Sequence, residues 1–303
     1  MTENEFKSGF VVMLGRPNVG KSTLLNALLE SKISIVSPIP QTTRHTIRGI
    51  LNLDGAQVVF VDTPGMHLFK DDLVRHLNVI AKQALVNCDL ILYVADVSRP
   101  IGREEERVMS VLTQQKVKVI MVLNKRDLGE KHITEYVEFW ESRIKEKNIK
   151  QSPLVYYMPV SAKEGKNVDL LRNVIVDNLP QNPAFYDKDT VTDFPVKFRI
   201  SDIVREKLFL LLEEELPHSL AVEVISIEKK RRVVSISVTI YVNRASQKKI
   251  IVGKKGEVLK AVGVAARPEI EKIFNKKVYL DIWVKVLEDW QRRPRILQEL
   301  GYW

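Results

Sequence analysis

The sequence predicts an α/β fold in two parts, a domain built on a mostly parallel sheet followed by a smaller α+β domain. From Phe10 to about Leu179, short apolar runs alternate with longer helical patterns, the rhythm of βαβ units. That rhythm breaks at Pro180 to Pro183 and in the polar stretch from Asp187 to Asp193. Beyond Pro195 a helix, strictly alternating strands and a glycine loop follow in a different order. A chain of 303 residues also exceeds the usual size of a single core. The expected boundaries are residues 1–180 for the first domain, 181–195 for a linker and 196–303 for the second domain.

In the first domain, residues 10–14, 57–61, 90–95, 117–123 and 156–160 read as strands buried on both faces, because each is a short, nearly continuous apolar run. Residues 46–53 add a strand before the turn Asp54-Gly55. Helical periodicity occupies 21–29, 73–86, 104–115, 134–147 and 168–179. In the second domain a helix is expected over 201–216, with Ser201-Asp202 as its N-cap and Pro217 as its stop. Strands follow, of which 233–242 alternates strictly, Val234, Ile236, Val238, Ile240 and Val242 facing one way; Val278 to Val286 repeats that period. Residues 250–252 read as a short strand leading into the glycine loop, and 258–273 as a helix.

Composition excludes several classes. Hydrophobic residues make up 45% and charged residues 28%, and no apolar run reaches the length of a bilayer span. The acidic start, Met1 to Phe6, is not expected to be a secretory or transit peptide. The single cysteine, Cys88, reads as a small buried hydrophobe in a reducing compartment, so a cytoplasmic location is expected. Net charge is +9, and residues 229–295 alone hold 18 Lys and Arg against 6 Asp and Glu. That density favours a polyanionic partner, nucleic acid or anionic membrane.

The chemistry is concentrated in ordered motifs. Gly15, Arg16, Pro17, Asn18, Val19, Gly20, Lys21 and Ser22, with Thr23 following, form a phosphate loop between a strand and a helix. Its amides and the helix N-terminus converge on phosphate oxygens, Lys21 reaches the outer phosphates, and the Ser22 hydroxyl suits Mg2+. Asp62, Thr63, Pro64 and Gly65 follow the next strand of the pattern, so the Asp62 carboxylate emerges beside the metal and the Gly65 amide can sense a γ-phosphate. Asn124, Lys125 and Asp127, with Ser161, Ala162 and Lys163, end two further strands and select the base. Asp127 would accept two hydrogen bonds from guanine, and the Ala162 amide would donate to the guanine carbonyl oxygen, whereas adenine satisfies neither. Between these elements, Thr42 and Thr43 lie in a polar, proline-containing segment, and either could offer a hydroxyl to magnesium when GTP is present.

These features together read as a GTP-hydrolysing switch. Where many such GTPases carry a glutamine to orient water, this chain has Met66, so a weak intrinsic rate is expected, with water positioned by backbone groups, a metal ion or a partner. Asn18 is a candidate ligand for K+. In the second domain Ile251, Val252, Gly253, Lys254, Lys255 and Gly256 form a Gly-x-x-Gly loop with a hydrophobic approach, which suits clamping of single-stranded nucleic acid. Arg267 and the basic residues Lys229 to Arg232, Arg244, Lys248 and Lys249 extend its footprint. Trp283, Trp290 and Trp303 are expected to pack the tail on the sheet.

The motifs Gly15 to Ser22, Pro40 to Arg44, Asp62 to Gly65, Asn124 to Asp127, Ser161 to Lys163, Leu216-Pro217, Val252 to Gly256, Gly263 with Ala266-Arg267, Trp283 to Val286 and Leu300 to Tyr302 span nearly the whole chain. In them the chain resembles the Era family of bacterial ribosome-assembly GTPases, which carry a C-terminal KH domain of the second type. The resemblance implies a phosphate-loop GTPase domain, GTP and GDP as ligands, and binding to the tail of small-subunit rRNA in the pre-30S particle. It also implies coupling of the GTP state to subunit maturation and peripheral association with the inner membrane; separately, a monomer is expected. Two other readings compete for the basic half: a membrane-associated switch held by anionic lipid, and a KH domain holding single-stranded DNA.

Overall fold

The structure, a computed structural model, describes residues 6–39, 42–65, 72–212 and 219–302. The backbone divides into two compact units, one made of the chain up to Ser34 with Thr43–Asp193, the other of Ile35–Thr42 with the chain from Phe194. Met66, Pro217 and Trp303, each singled out from the sequence, lie outside the described residues.

The first unit holds a six-stranded sheet in the order β2-β3-β1-β4-β5-β6. Its strands are β1 (Lys7–Leu14), β2 (Ile47–Leu53), β3 (Ala56–Asp62), β4 (Leu90–Asp96), β5 (Lys118–Asn124) and β6 (Leu154–Pro159). All neighbours are parallel except β2, which returns antiparallel along β3 after the two-residue turn at Asp54-Gly55. Helices α1 (Lys21–Leu29), α2 (Asp72–Gln83), α3 (Arg103–Leu112), α4 (Ile133–Glu146) and α5 (Val168–Asp177) make the crossovers. Strands β3 and β4 are buried along their whole length, as expected for strands covered on both faces. Strand β6 departs from that expectation: it is the sheet edge, and Val155 and Tyr156 are exposed. Because β1, β3, β5 and β6 run the same way, their carboxyl ends meet along one rim.

Residues 181–193 differ from the expected linker, since they run along the first unit and are held there by hydrogen bonds. The buried Gln57 side chain on β3 accepts from the Phe185 and Tyr186 amides at 2.7 and 3.0 Å and donates to the Tyr186 carbonyl at 2.8 Å. The Ile50 amide donates to the Val191 carbonyl at 2.8 Å. A polar, proline-containing stretch thus satisfies its backbone on the outer strands instead of on water.

In the second unit, α6 (Val196–Leu211) packs with the three-stranded sheet β7 (Leu220–Lys229), β8 (Val233–Val242) and β9 (Lys277–Val286). Strands β7 and β8 are antiparallel with a bulge near Ile225, whereas β8 and β9 are parallel over ten pairs. Helices α7 (Ala245–Val252) and α8 (Glu257–Phe274) carry the crossover between them, and α9 (Pro294–Glu299) closes the chain. Two expectations are corrected. The expected short strand at 250–252 is the end of α7, whose start is fixed by Gln247: its Oε1 accepts from the Arg244 amide at 2.9 Å. The expected N-cap Ser201-Asp202 lies inside α6, which begins at Val196 after Pro195; the Ser201 hydroxyl donates back to the Phe198 carbonyl, and Asp202 pairs with Arg205 at 2.8 Å.

The segment Ile35–Thr42 belongs to this second unit through specific bonds. The Val36 amide donates to Glu206 Oε1 at 3.0 Å, and Arg205 Nη2 donates to the Thr42 carbonyl at 2.9 Å while Nη1 reaches the Tyr302 hydroxyl at 2.7 Å. Trp290 and Tyr302 are buried, as expected for the tail, but Trp283 stands 60% exposed on the outer side of β9.

Candidate functional site

The site grows from the end of β1. After Leu14 the chain turns through the phosphate loop into α1, whose N-cap Gly20 has φ +97°, a left-handed conformation that disfavours any side chain. A Cβ there would also meet Asn124 Nδ2 at 2.5 Å, so the loop closes directly on the end of β5. Lys21 is buried, its ammonium donating to the Gly15 and Arg16 carbonyls at 3.3 and 3.0 Å. Burial draws its pKa down to about 8, against the pull of the Asp62 carboxylate. Burial likewise raises the Asp62 carboxyl, opposed by Lys21 and by hydroxyls that donate to it.

Three of the predicted metal ligands come together. Ser22 Oγ donates to Asp62 Oδ2 at 2.8 Å and lies 2.9 Å from Thr43 Oγ1. Asp62 is fully buried, and its other oxygen, Oδ1, has no hydrogen-bond partner. A buried carboxylate oxygen of that kind, beside two hydroxyls, fits a hard divalent cation. Thr42 is placed differently: its hydroxyl donates to the Ile39 carbonyl at 2.5 Å and meets Ser37 Oγ at 2.7 Å. The geometry separates two threonines that spacing alone could not.

Asp62-Thr63-Pro64-Gly65 sits as the strand order requires. The Thr63 hydroxyl donates to the Met13 carbonyl at 2.9 Å and so pins the segment to β1. Gly65 abuts the phosphate loop, where a Cβ would come within 2.7 Å of the Pro17 nitrogen. Asn18 has φ 59°, which turns the loop at the candidate potassium ligand.

At the base-selecting end, Asn124 is buried and works as a strut. Its Nδ2 donates to the Val19 carbonyl at 2.9 Å, and its Oδ1 accepts from the Ala162 amide at 3.0 Å. Asn124 thus takes the amide that the sequence reading assigned to the guanine carbonyl. The Ser161 hydroxyl donates to Asp127 Oδ1 at 2.6 Å, orienting the carboxylate and leaving Oδ2 for a ligand. Lys125, with φ 65°, pairs with Asp96 at 2.9 Å, and Lys163 is exposed.

Sequence reasoning missed several of these groups. Ser34 Oγ donates to Asp62 Oδ2 at 3.0 Å, and Asn26 Oδ1 holds the Ile33 and Ser34 amides at 2.9 and 3.0 Å. Only a polar residue between Ile33 and Ile35 hinted at Ser34.

In the second unit, Gly253 (φ +74°) and Gly256 (φ +80°) form the turn between α7 and α8. A Cβ at Gly253 would meet Val258 Cγ2 at 2.6 Å. Lys254, Lys255 and Arg267 are exposed, as are Arg244, Lys248 and Lys249. Ile251, expected to face bases, is sealed in the core, because it lies on the buried side of α7; of that pair only Val252 keeps accessible surface.

Comparison with known proteins bears on both units. A family described as 50S ribosome-binding GTPase matches residues 10–125, and the KH domain family matches residues 215–291. GTPase Era of Geobacter metallireducens is 43% identical over 305 residues, covering 100% of both chains. The chain belongs to the Era GTPase family. GTPase Era of Staphylococcus haemolyticus is 41% identical over 98% of both chains. A crystal structure of Era in complex with MgGDPNP and nucleotides 1506-1542 of 16S ribosomal RNA superposes with a TM-score of 0.90 at 38% identity, covering 98% of this chain and 99% of that one. A point variant of Aquifex aeolicus Era bound to GDP.AlF4- gives 0.89 over the same shares. As an Era-family member the chain is a GTPase with a phosphate-loop domain on a mostly parallel sheet and a C-terminal KH domain.

Proposed function

We propose that this chain binds GTP with magnesium at the rim of the first unit, hydrolyses it, and uses its KH domain to hold a single-stranded segment of small-subunit rRNA during subunit assembly. The observation that carries the reading is the convergence of Ser22, Thr43 and the partner-free Asp62 Oδ1 beside Lys21. These three residues would hold the metal, with Thr43 rather than Thr42 as the switch ligand. Bound magnesium would supply positive charge to the β- and γ-phosphate oxygens as charge shifts in the transition state.

The protein's own groups do the rest. The loop amides and the α1 N-terminus cradle phosphates, and Lys21 adds a buried ammonium. Asp127, oriented by Ser161, accepts from guanine and rejects adenine, which lacks the donors. Asn18 is the proposed K+ ligand, placed by its left-handed turn in the phosphate loop. For RNA, the Gly253 to Gly256 turn allows close approach of a backbone, and Lys254 and Lys255 neutralise its phosphates. The Era structure solved with MgGDPNP and a 16S rRNA fragment supports both halves of the reading. Monomeric behaviour in the cytoplasm, with peripheral attachment to anionic inner membrane, completes the proposal; the basic excess in 229–295 supports the attachment, and no helix of the described residues is long and apolar enough to cross a membrane.

Filter binding with RNA, matching DNA and anionic vesicles over a salt series, with GTP analogue or GDP, tests this. RNA is expected to bind tightest, with a steep salt dependence. Preference for DNA or vesicles would overturn the RNA assignment.

A further inference from the structure

Beneath the phosphate loop two buried carboxylates, Glu105 and Asp96, meet two partly buried cations, and the Arg16–Glu105 pair among them has no phosphate or base contact assigned to it. Arg16 follows the first glycine of the loop, yet its side chain points into the protein. Its Nε donates to Glu105 Oε1 at 2.6 Å, and a terminal nitrogen lies 3.5 Å from Asp96 Oδ2. Glu105, on α3, is 1% exposed and also accepts from the Tyr93 hydroxyl on β4 at 2.8 Å and the Tyr136 hydroxyl on α4 at 3.2 Å. Asp96, at the end of β4, binds Ser98 through Oδ1 and receives Lys125 through Oδ2 at 2.9 Å. Two cations and two anions balance.

We infer that Arg16 is a positioning residue for nucleotide binding: clamped between Glu105 and Asp96, it fixes the phosphate loop relative to Lys125 of the guanine element. The inference rests on the nucleotide site proposed above. Its physical basis is a continuous path. The Arg16 carbonyl accepts from the Lys21 ammonium at 3.0 Å, the Arg16 guanidinium meets Asp96, and Asp96 holds Lys125. A planar fork can engage two carboxylates at once, which a lysine ammonium on a flexible stem cannot do with the same geometry. Burying the two carboxylates is costly, and well-packed apolar side chains would fill the same space at least as stably. What the cluster supplies is a defined position for the loop. Glu105 touches no expected ligand; of the groups it holds, Arg16 is the one that lies in the phosphate loop.

Titration of fluorescent GDP, steady-state GTP hydrolysis and thermal melting of R16K, R16Q, E105Q and R16Q/E105Q test the clamp. We expect R16Q and E105Q each to weaken GDP at least tenfold, R16K to recover part of the R16Q loss, and the double variant to be no weaker than R16Q alone. The KM for GTP should rise more than kcat falls, a split that general loosening of the fold would not give. GDP affinity of R16Q within twofold of the parent, or losses that add independently, would overturn the clamp. If R16Q does not fold, the isosteric E105Q carries the same test. Absence of GDP binding by the unmodified protein would instead sink the nucleotide site itself.

Discussion

Asn124 Nδ2 donates to the Val19 carbonyl at 2.9 Å, so the strand that ends in the guanine element is bonded to the loop that receives the phosphates. The same side chain accepts from the Ala162 amide. Replacing Asn124 by alanine strands a buried carbonyl and a buried amide, each costing roughly 1–3 kcal/mol. Where even about 1 kcal/mol of that loss is felt by the ligand, GDP affinity should fall at least about fivefold. Calorimetric titration of Asn124→Ala checks this; unchanged affinity would mean the strut is not used.

Base choice rests on Asp127, held by the Ser161 hydroxyl at 2.6 Å. Asp127→Asn should weaken GTP at least about 100-fold, since guanine's donors then face a donor. The same variant should improve xanthosine nucleotide binding, because the new amide can donate to the xanthine carbonyl. Competition between GDP and xanthosine diphosphate measures both changes at once.

Positive φ at Gly253 and Gly256 leaves a bare backbone at the turn where nucleic acid is proposed to approach. Aspartate at both positions adds charge opposed to phosphate and strain at φ +74° and +80°. RNA retention on filters should be lost while GDP affinity stays within about twofold. Joint loss of both would argue that the two units are not independently folded.

Cys88 is buried, and burial pushes its thiol up to about 11. The thiolate is the reactive form and grows only as pH approaches that value. At pH 8 about one molecule in a thousand is ionised, against roughly a quarter for a free cysteine. Labelling by a thiol reagent should therefore run at least about 100-fold slower in the native protein than in denaturant. Comparable rates would place Cys88 at the surface.

Much of the nucleotide site was legible because its parts are contiguous: a glycine loop before a helix, and acidic or amide residues closing apolar strands. Lys21, Ser22, Asp62, Asn124 and Asp127 declare themselves by neighbours in sequence. Glu105 did not, because the second of three glutamates at a helix start reads as a solvated helix terminus, and only the fold brings Arg16, Tyr93 and Tyr136 around it. Residues 181–193 read as a linker for a similar reason, since their anchor, Gln57, lies 128 and 129 residues from the amides it holds. The run Ile250 to Val252 is too short for period 2 and period 3.6 to be distinguished, and the bond from the Arg244 amide to Gln247 with burial of Ile251 decides for helix. Thr42 and Thr43 are adjacent and chemically identical; only the hydroxyl contact with Ser22 tells them apart.

The assembly of Ser22, Thr43, Asp62 and Lys21 into a guanine-nucleotide site is tested most directly by calorimetry of the intact chain with GDP and ADP, with and without magnesium. GDP is expected to give saturable heat that is stronger with magnesium, and ADP none. No heat with any guanosine nucleotide, or equal binding of ADP, would contradict it.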